Sequence, residues 1–170
     1  MIKKIIWAVV FILIAALLQS TIFSRLSVYI HAVPDIALCI LVYTAYVNGT
    51  MTGQLTGFFS GFFLDLLSAA PLGLNALVRT LIGAAAGLLK GTFFLDLFFL
   101  PMALCAGATV AKAVMYFLLH LFFAGAVPFY KLLGLTFWVE LGLNTLAAPF
   151  LFAFLKLFGF LLVGRQREDT

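Results

Sequence analysis

Two stretches of this chain share one pattern: Gly53-Gln-Leu-Thr-Gly57-Phe-Phe-Ser-Gly61-Phe-Phe-Leu-Asp65 and, after a short turn, Arg79-Thr-Leu-Ile-Gly83-Ala-Ala-Ala-Gly87-Leu-Leu-Lys-Gly91. Residues four apart lie nearly above one another on a helix. Gly53, Gly57, Gly61 and Asp65 therefore form one stripe, and Arg79, Gly83, Gly87 and Gly91 form another. Pro71-Leu72-Gly73 between them is a turn, so the stripes belong to neighbouring antiparallel helices. Lipid supplies no hydrophobic push between helices, and contact then depends on small residues that let backbones approach. The glycines are the expected packing seam. Asp65 and Arg79 each stand seven residues from Leu72, which predicts equal depth and a mutual intramembrane charge pair. The competing expectation is that each side chain snorkels separately to the headgroups.

Composition identifies the solvent. Of 170 residues, 65% are apolar and 9% charged, and the mean hydropathy is +1.23. So little polar surface cannot cover a water-soluble globule. A bilayer core of about 30 Å takes roughly 20 apolar residues per helix, and the chain has room for six. The expected architecture is an all-α membrane protein, one integral membrane domain over 1–170 built as a six-transmembrane-helix bundle. The spans fall at about 5–23, 34–47, 53–68, 74–89, 97–123 and 132–162. Pro34 suits a first helical turn, and Asn48-Gly49 ends the second span. The last two spans are long enough to tilt, to kink near Pro101 or Pro149, or to be broken.

The net charge of +4 reports orientation here; no nucleic-acid partner is expected, only the lipid bilayer. With the N-terminus inside, Lys3, Lys4, Lys90, Arg165 and Arg167 are cytoplasmic, against Arg25 and Lys131 outside. Basic residues are retained on the cytoplasmic side, so both termini are expected there and the Pro71 turn outside. The first span also reads as a secretory signal peptide, with two lysines, an apolar run and Gln19-Ser20-Thr21, though no small-residue cleavage pattern closes it.

Counting from the outer helix ends gathers Asn75, His120, Glu140 and Asn144 in the outer half of the bundle, with Lys112 nearer the middle. Intramembrane ionisable residues face the bundle interior and are functional candidates. They serve either as polar glue between helices or as the lining of a ligand pocket. Lys156, near the inner end of the sixth span, is expected to snorkel. Catalysis is weakly indicated. Ser60 with His120 is the one nucleophile and base candidate, but Ser60 lies on the packing face. Asp65, Asp96 and Glu140 are too dispersed for a carboxylate dyad. No metal or cofactor motif occurs, and Cys39 and Cys105 lie in apolar runs, where a thiol acts as a small hydrophobe. The chain reads as a non-enzyme.

The run from Gly57 through Asp65-Leu-Leu-Ser68 and Pro71-Leu-Gly73 to Leu77, ordered with Gln19-Ser20 and Pro34-Asp35, resembles the MreD family of bacterial rod-shape-determining membrane proteins. The resemblance implies a subunit of the cell-elongation machinery in the bacterial cytoplasmic (inner) membrane. It would scaffold an MreC-like bitopic protein, the MreB cytoskeleton and the peptidoglycan synthases, without a cofactor. It also implies a fold similar to the substrate-binding subunits of energy-coupling-factor transporters. The alternative function is accordingly a small-molecule-binding subunit of a vitamin-type transporter.

Overall fold

The Ile36–Asn48 segment is apolar on every face, and a helix of that kind belongs in an interior. In a computed structural model describing residues 2–19, 34–68, 71–92, 98–123, 127 and 134–162, it forms the centre of an all-helical bundle. The helices are α1 (Ile2–Leu18), α2 (Ile36–Asn48), α3 (Thr50–Leu67), α4 (Leu74–Leu88), α5 (Phe99–Phe122) and α6 (Leu135–Leu157), followed by the single turn α7 (Gly159–Leu162). No strand occurs among the described residues. Ten of the thirteen residues of α2 are buried, and α2 packs against each of α1, α3, α4, α5 and α6.

The helix limits follow local chemistry. Asp35 caps α2, its carboxylate accepting from the Leu38 amide, so the helix begins after Pro34 instead of containing it. Gly49 takes a positive φ of 96°, and this one residue separates α2 from α3. Gly73 (φ 95°) starts α4 in the same way. α5 and α6 run unbroken through Pro101 and Pro149. The expected sixth span is divided, because α6 ends at Leu157 and α7 follows. Ser20, Thr21, Arg25, Asp96, Lys131, Arg165 and Arg167 lie outside the described residues, as do the turn residues Ala69 and Ala70.

Two helices, Phe99–Phe122 and Leu135–Leu157, are long and apolar enough to cross a membrane. α2, at 13 residues, is about 20 Å long, shorter than a hydrocarbon core, and is surrounded by other helices. Polarity runs opposite to that of a soluble core. Phe58, Phe59, Phe62, Phe63, Phe99, Trp138 and Phe150 are exposed, while Asp35, Asp65, Arg79, Glu140 and Asn144 are buried.

Candidate functional site

The closest packing lies between α3 and α4. A Cβ added at Gly61 would stand 2.5 Å from Ala76 Cα, at Gly57 it would stand 2.7 Å from the Arg79 carbonyl carbon, and at Gly83 2.7 Å from the Gly53 carbonyl carbon. At Gly87 it would reach Thr50 Cα at 2.5 Å. These are backbone atoms that cannot move aside. Gly53, Gly57, Gly61, Gly83 and Gly87 thus lie where the two backbones touch. Gly91 does not; a Cβ there meets nothing within 4 Å, and its φ of 75° belongs to the turn after α4.

The register of this seam separates Asp65 from Arg79. Gly57 faces Arg79, so Asp65, eight residues beyond Gly57, lies about 12 Å further along α3. It has passed the start of α4 and covers that helix's N-terminal amides. Its Oδ2 accepts from Gly73 N at 2.9 Å and Ala76 N at 3.1 Å, and its Oδ1 accepts from Asn75 N and Asn75 Nδ2, each at 2.9 Å. A carboxylate at a helix N-terminus is favoured both by orphan donors and by the helix dipole. The expected Asp65–Arg79 pair is therefore not formed. Counting outward from Leu72 assumes a symmetric hairpin, and the turn is not at the symmetry point of the seam.

Arg79 turns instead to α2. Its Nη2 donates to Asp35 Oδ1 at 2.9 Å and Oδ2 at 3.2 Å. Lys112 of α5 donates to Asp35 Oδ2 at 2.8 Å and, through a second short contact, to Glu140 of α6. Asn144, on the same face of α6 as Glu140, accepts from the Asp35 amide at 2.7 Å and donates to Thr109 Oγ1 at 2.9 Å. One carboxylate, one guanidinium, one ammonium and a second carboxylate thus join α2, α4, α5 and α6 in a set whose charges cancel. Isolated buried charges cost several kcal/mol each, and pairing with hydrogen bonds offsets this. One guanidinium nitrogen, Arg79 Nη1, and Thr56 Oγ1 are buried without a partner.

Of the sequence-predicted cluster, Lys112 and Glu140 meet directly, and Asn144 joins them through Asp35, whose amide it accepts from while the carboxylate takes Lys112. Asn75 joins the rim, since Tyr116 donates to its Oδ1 at 2.7 Å while Asn75 itself donates to Asp65. His120 lies one turn beyond Tyr116, with Nδ1 2.7 Å from the Val127 carbonyl oxygen. Sequence reasoning missed Asp35, Tyr116 and Thr109 as site residues. Asp35 reads as a helix cap, which it also is. Charge balance gave no signal for its second role, because Asp65 and Glu140 already match Arg79 and Lys112 in number.

The arrangement holds helices together and leaves little for catalysis among the described residues. Ser60 Oγ donates to the Gly57 carbonyl of its own helix at 3.2 Å and not to His120. Asp35 and Glu140 share a lysine, not a proton. Cys39 and Cys105 are buried free thiols, and no group of three potential metal-ligand side chains gathers among the described residues. A family model described as rod shape-determining protein MreD matches residues 1–158. The chain belongs to the MreD family. That match runs from the start of α1 to the residue after α6 and so includes every member of the charge network. Membership gives the chain a role in rod-shape determination and places it with the membrane-associated MreB/MreC shape system. No curated protein and no solved structure matches it.

Proposed function

We propose that this MreD family member is a multi-pass subunit of the bacterial inner membrane that works by holding other shape-system proteins, not by turning over a substrate. The observation that carries this reading is the closed charge network. Asp35, Arg79, Lys112 and Glu140 are the groups that intramembrane chemistry would draw on, and they are bonded to one another across four helices. Such a network fixes a shape, and a fixed shape is what a scaffold presents to its partners. The inverted polarity of the bundle supports six membrane crossings, with aromatic and aliphatic side chains outward and charges inward. The basic flanks support cytoplasmic termini.

The partners in this reading are an MreC-like bitopic protein, MreB filaments and peptidoglycan synthases, assembled without a cofactor. The family match to the shape system supports them. The vitamin-transporter alternative gains no support, since no solved structure matches the chain. Depletion in a rod-shaped host tests the role: cells are expected to round or widen, and the bitopic partner to co-purify with the tagged chain in mild detergent. Normal rods after complete depletion would refute it.

A further inference from the structure

In a six-crossing bundle α1 and α3 are separated by one crossing, so they run in the same direction and both start at the cytoplasmic end. Between them lies an apolar cleft of about 550 Å³, lined by α1 from Ile2 to Leu13 and by α3 from Leu55 to Phe63. Its α1 wall is about 16 Å long, close to the depth of one leaflet in a hydrocarbon core about 30 Å thick. Ile6, Val10, Phe59 and Phe63 are exposed, so the cleft opens sideways to the bilayer.

The walls select the kind of occupant. Every lining residue is Ile, Val, Leu or Phe, and none is small. Helices associate in lipid by bringing backbones together at small residues, as the α3–α4 seam does. Branched and aromatic walls hold a partner backbone away, whereas a flexible hydrocarbon chain fills the space between them. The mouth selects the headgroup. Lys3 is exposed and stands seven residues before Val10, on the same stripe of α1. Neither α1 nor α3 has an acidic residue in its first turn, so two helix N-termini keep their partial positive charge there. Lys90 reaches over the start of α3, its Nζ donating to the Asn48 carbonyl at 3.3 Å. Asp35, Asp65 and Glu140, the acidic side chains among the described residues, lie toward the opposite end of the bundle.

We propose that this cleft binds an anionic phospholipid of the cytoplasmic leaflet, with one acyl chain between α1 and α3 and the phosphate held at Lys3 and the two helix starts. Basic residues at the cytoplasmic ends of membrane helices attract anionic headgroups. Here the charge stands over a slot of leaflet depth, and that turns attraction to a surface into a site. Lys4 shares its stripe with Ala8 and Ala15, both buried on the other side of α1, and takes no part. The site rests on six crossings with a cytoplasmic N-terminus, and it does not depend on the identity of any protein partner.

Bromine quenching of tryptophan tests this on the full chain with Trp7→Phe and Trp138→Phe, in phosphatidylcholine bilayers containing an increasing share of brominated phosphatidylglycerol of the same chain length. Phe59→Trp reports the cleft, and Phe150→Trp, at an exposed position on α6, reports ordinary lipid contact. Quenching at position 59 is expected to be half complete at a roughly fivefold lower anionic share than at 150, the contribution of one lysine near an anionic surface. Lys3→Gln should remove that preference, and Lys4→Gln should leave it. The same composition dependence at both positions would overturn the site and leave an unselective lipid contact. Quenching at 150 with none at 59 would also overturn it, by showing that protein, such as a second copy of the chain, fills the cleft. Quenching at neither would overturn the bilayer-spanning reading and the site with it.

Discussion

Asp35 Oδ2 stands 2.8 Å from Lys112 Nζ, so an ion pair joins the first turn of the central helix to the middle of α5. The same carboxylate receives Arg79 from α4. Removing it leaves buried Arg79 and partly buried Lys112 with a single anion, Glu140, between them. Breaking a buried pair costs about 3–5 kcal/mol, and Asp35→Asn should approach that range. Asp35→Asn and Arg79→Gln should be strongly non-additive in a double-mutant cycle read by thermal stability in detergent, whereas Asp65→Asn and Arg79→Gln should add. Coupling at 65 and 79 with additivity at 35 and 79 would reverse the assignment.

Asp65 has a different role and a different signature. It supplies the N-terminal cap of α4 from another helix, so Asp65→Ala leaves the Gly73, Asn75 and Ala76 amides without their acceptor. A lost cap costs up to about 2 kcal/mol, and several charge-assisted bonds are lost here. Asp65→Asn keeps one acceptor oxygen and should lie between wild type and Asp65→Ala. Hydrogen exchange should show the loss first in Leu74–Val78. Uniform loss of protection over the bundle would contradict a local cap.

The glycine seam was legible in the sequence because four-residue spacing follows from helix geometry alone. Its register was not. That depends on where the helices end, and Gly73 opens α4 where a symmetric count about Leu72 does not place the midpoint. Asp65 and Arg79 consequently look like partners while each is taken elsewhere. Lys112, Glu140 and Asn144 were legible as a group, because buried polar residues in an apolar chain seek one another. Their anchor Asp35 was hidden by its own adequacy as a cap, and Tyr116 by the ease with which a tyrosine passes for apolar filler.

Substitutions at three glycines should separate contact from conformation. Gly57→Ala places a methyl group against the Arg79 backbone and should cost several kcal/mol, on the order of an overpacked core. Gly91→Ala meets open space but keeps a positive φ, a strain of about 1 kcal/mol. Gly107→Ala meets neither obstacle and should be neutral or gain up to about 1 kcal/mol of helix propensity. Thermal midpoints in the same detergent rank them, and any other order would mean that the seam is not the tightest contact.

Leu72 is exposed at the tip of the α3–α4 turn. In the proposed orientation Leu72→Cys reacts with an impermeant thiol reagent in spheroplasts, while Cys39 and Cys105, both buried, stay silent. Reaction only after lysis would invert the bundle.

Ser60→Ala and His120→Ala should each sustain rod shape at normal protein levels, since Ser60 bonds to its own helix and His120 lies beside the Val127 carbonyl oxygen. Rounded cells from either variant would reopen a catalytic reading.

The charge network also bears on how such a chain is made. Arg79 follows Asp35 by 44 residues, Lys112 follows it by 77, and Glu140 comes 28 after Lys112. In a polypeptide inserted as it leaves the ribosome, the signs arrive as negative, positive, positive, negative. Asp35 waits alone for its first partner, the second cation creates a surplus of one, and Glu140 cancels it. At no stage does the growing chain carry more than one uncompensated charge from this set, so the order of the four residues keeps the set near neutrality as it is completed.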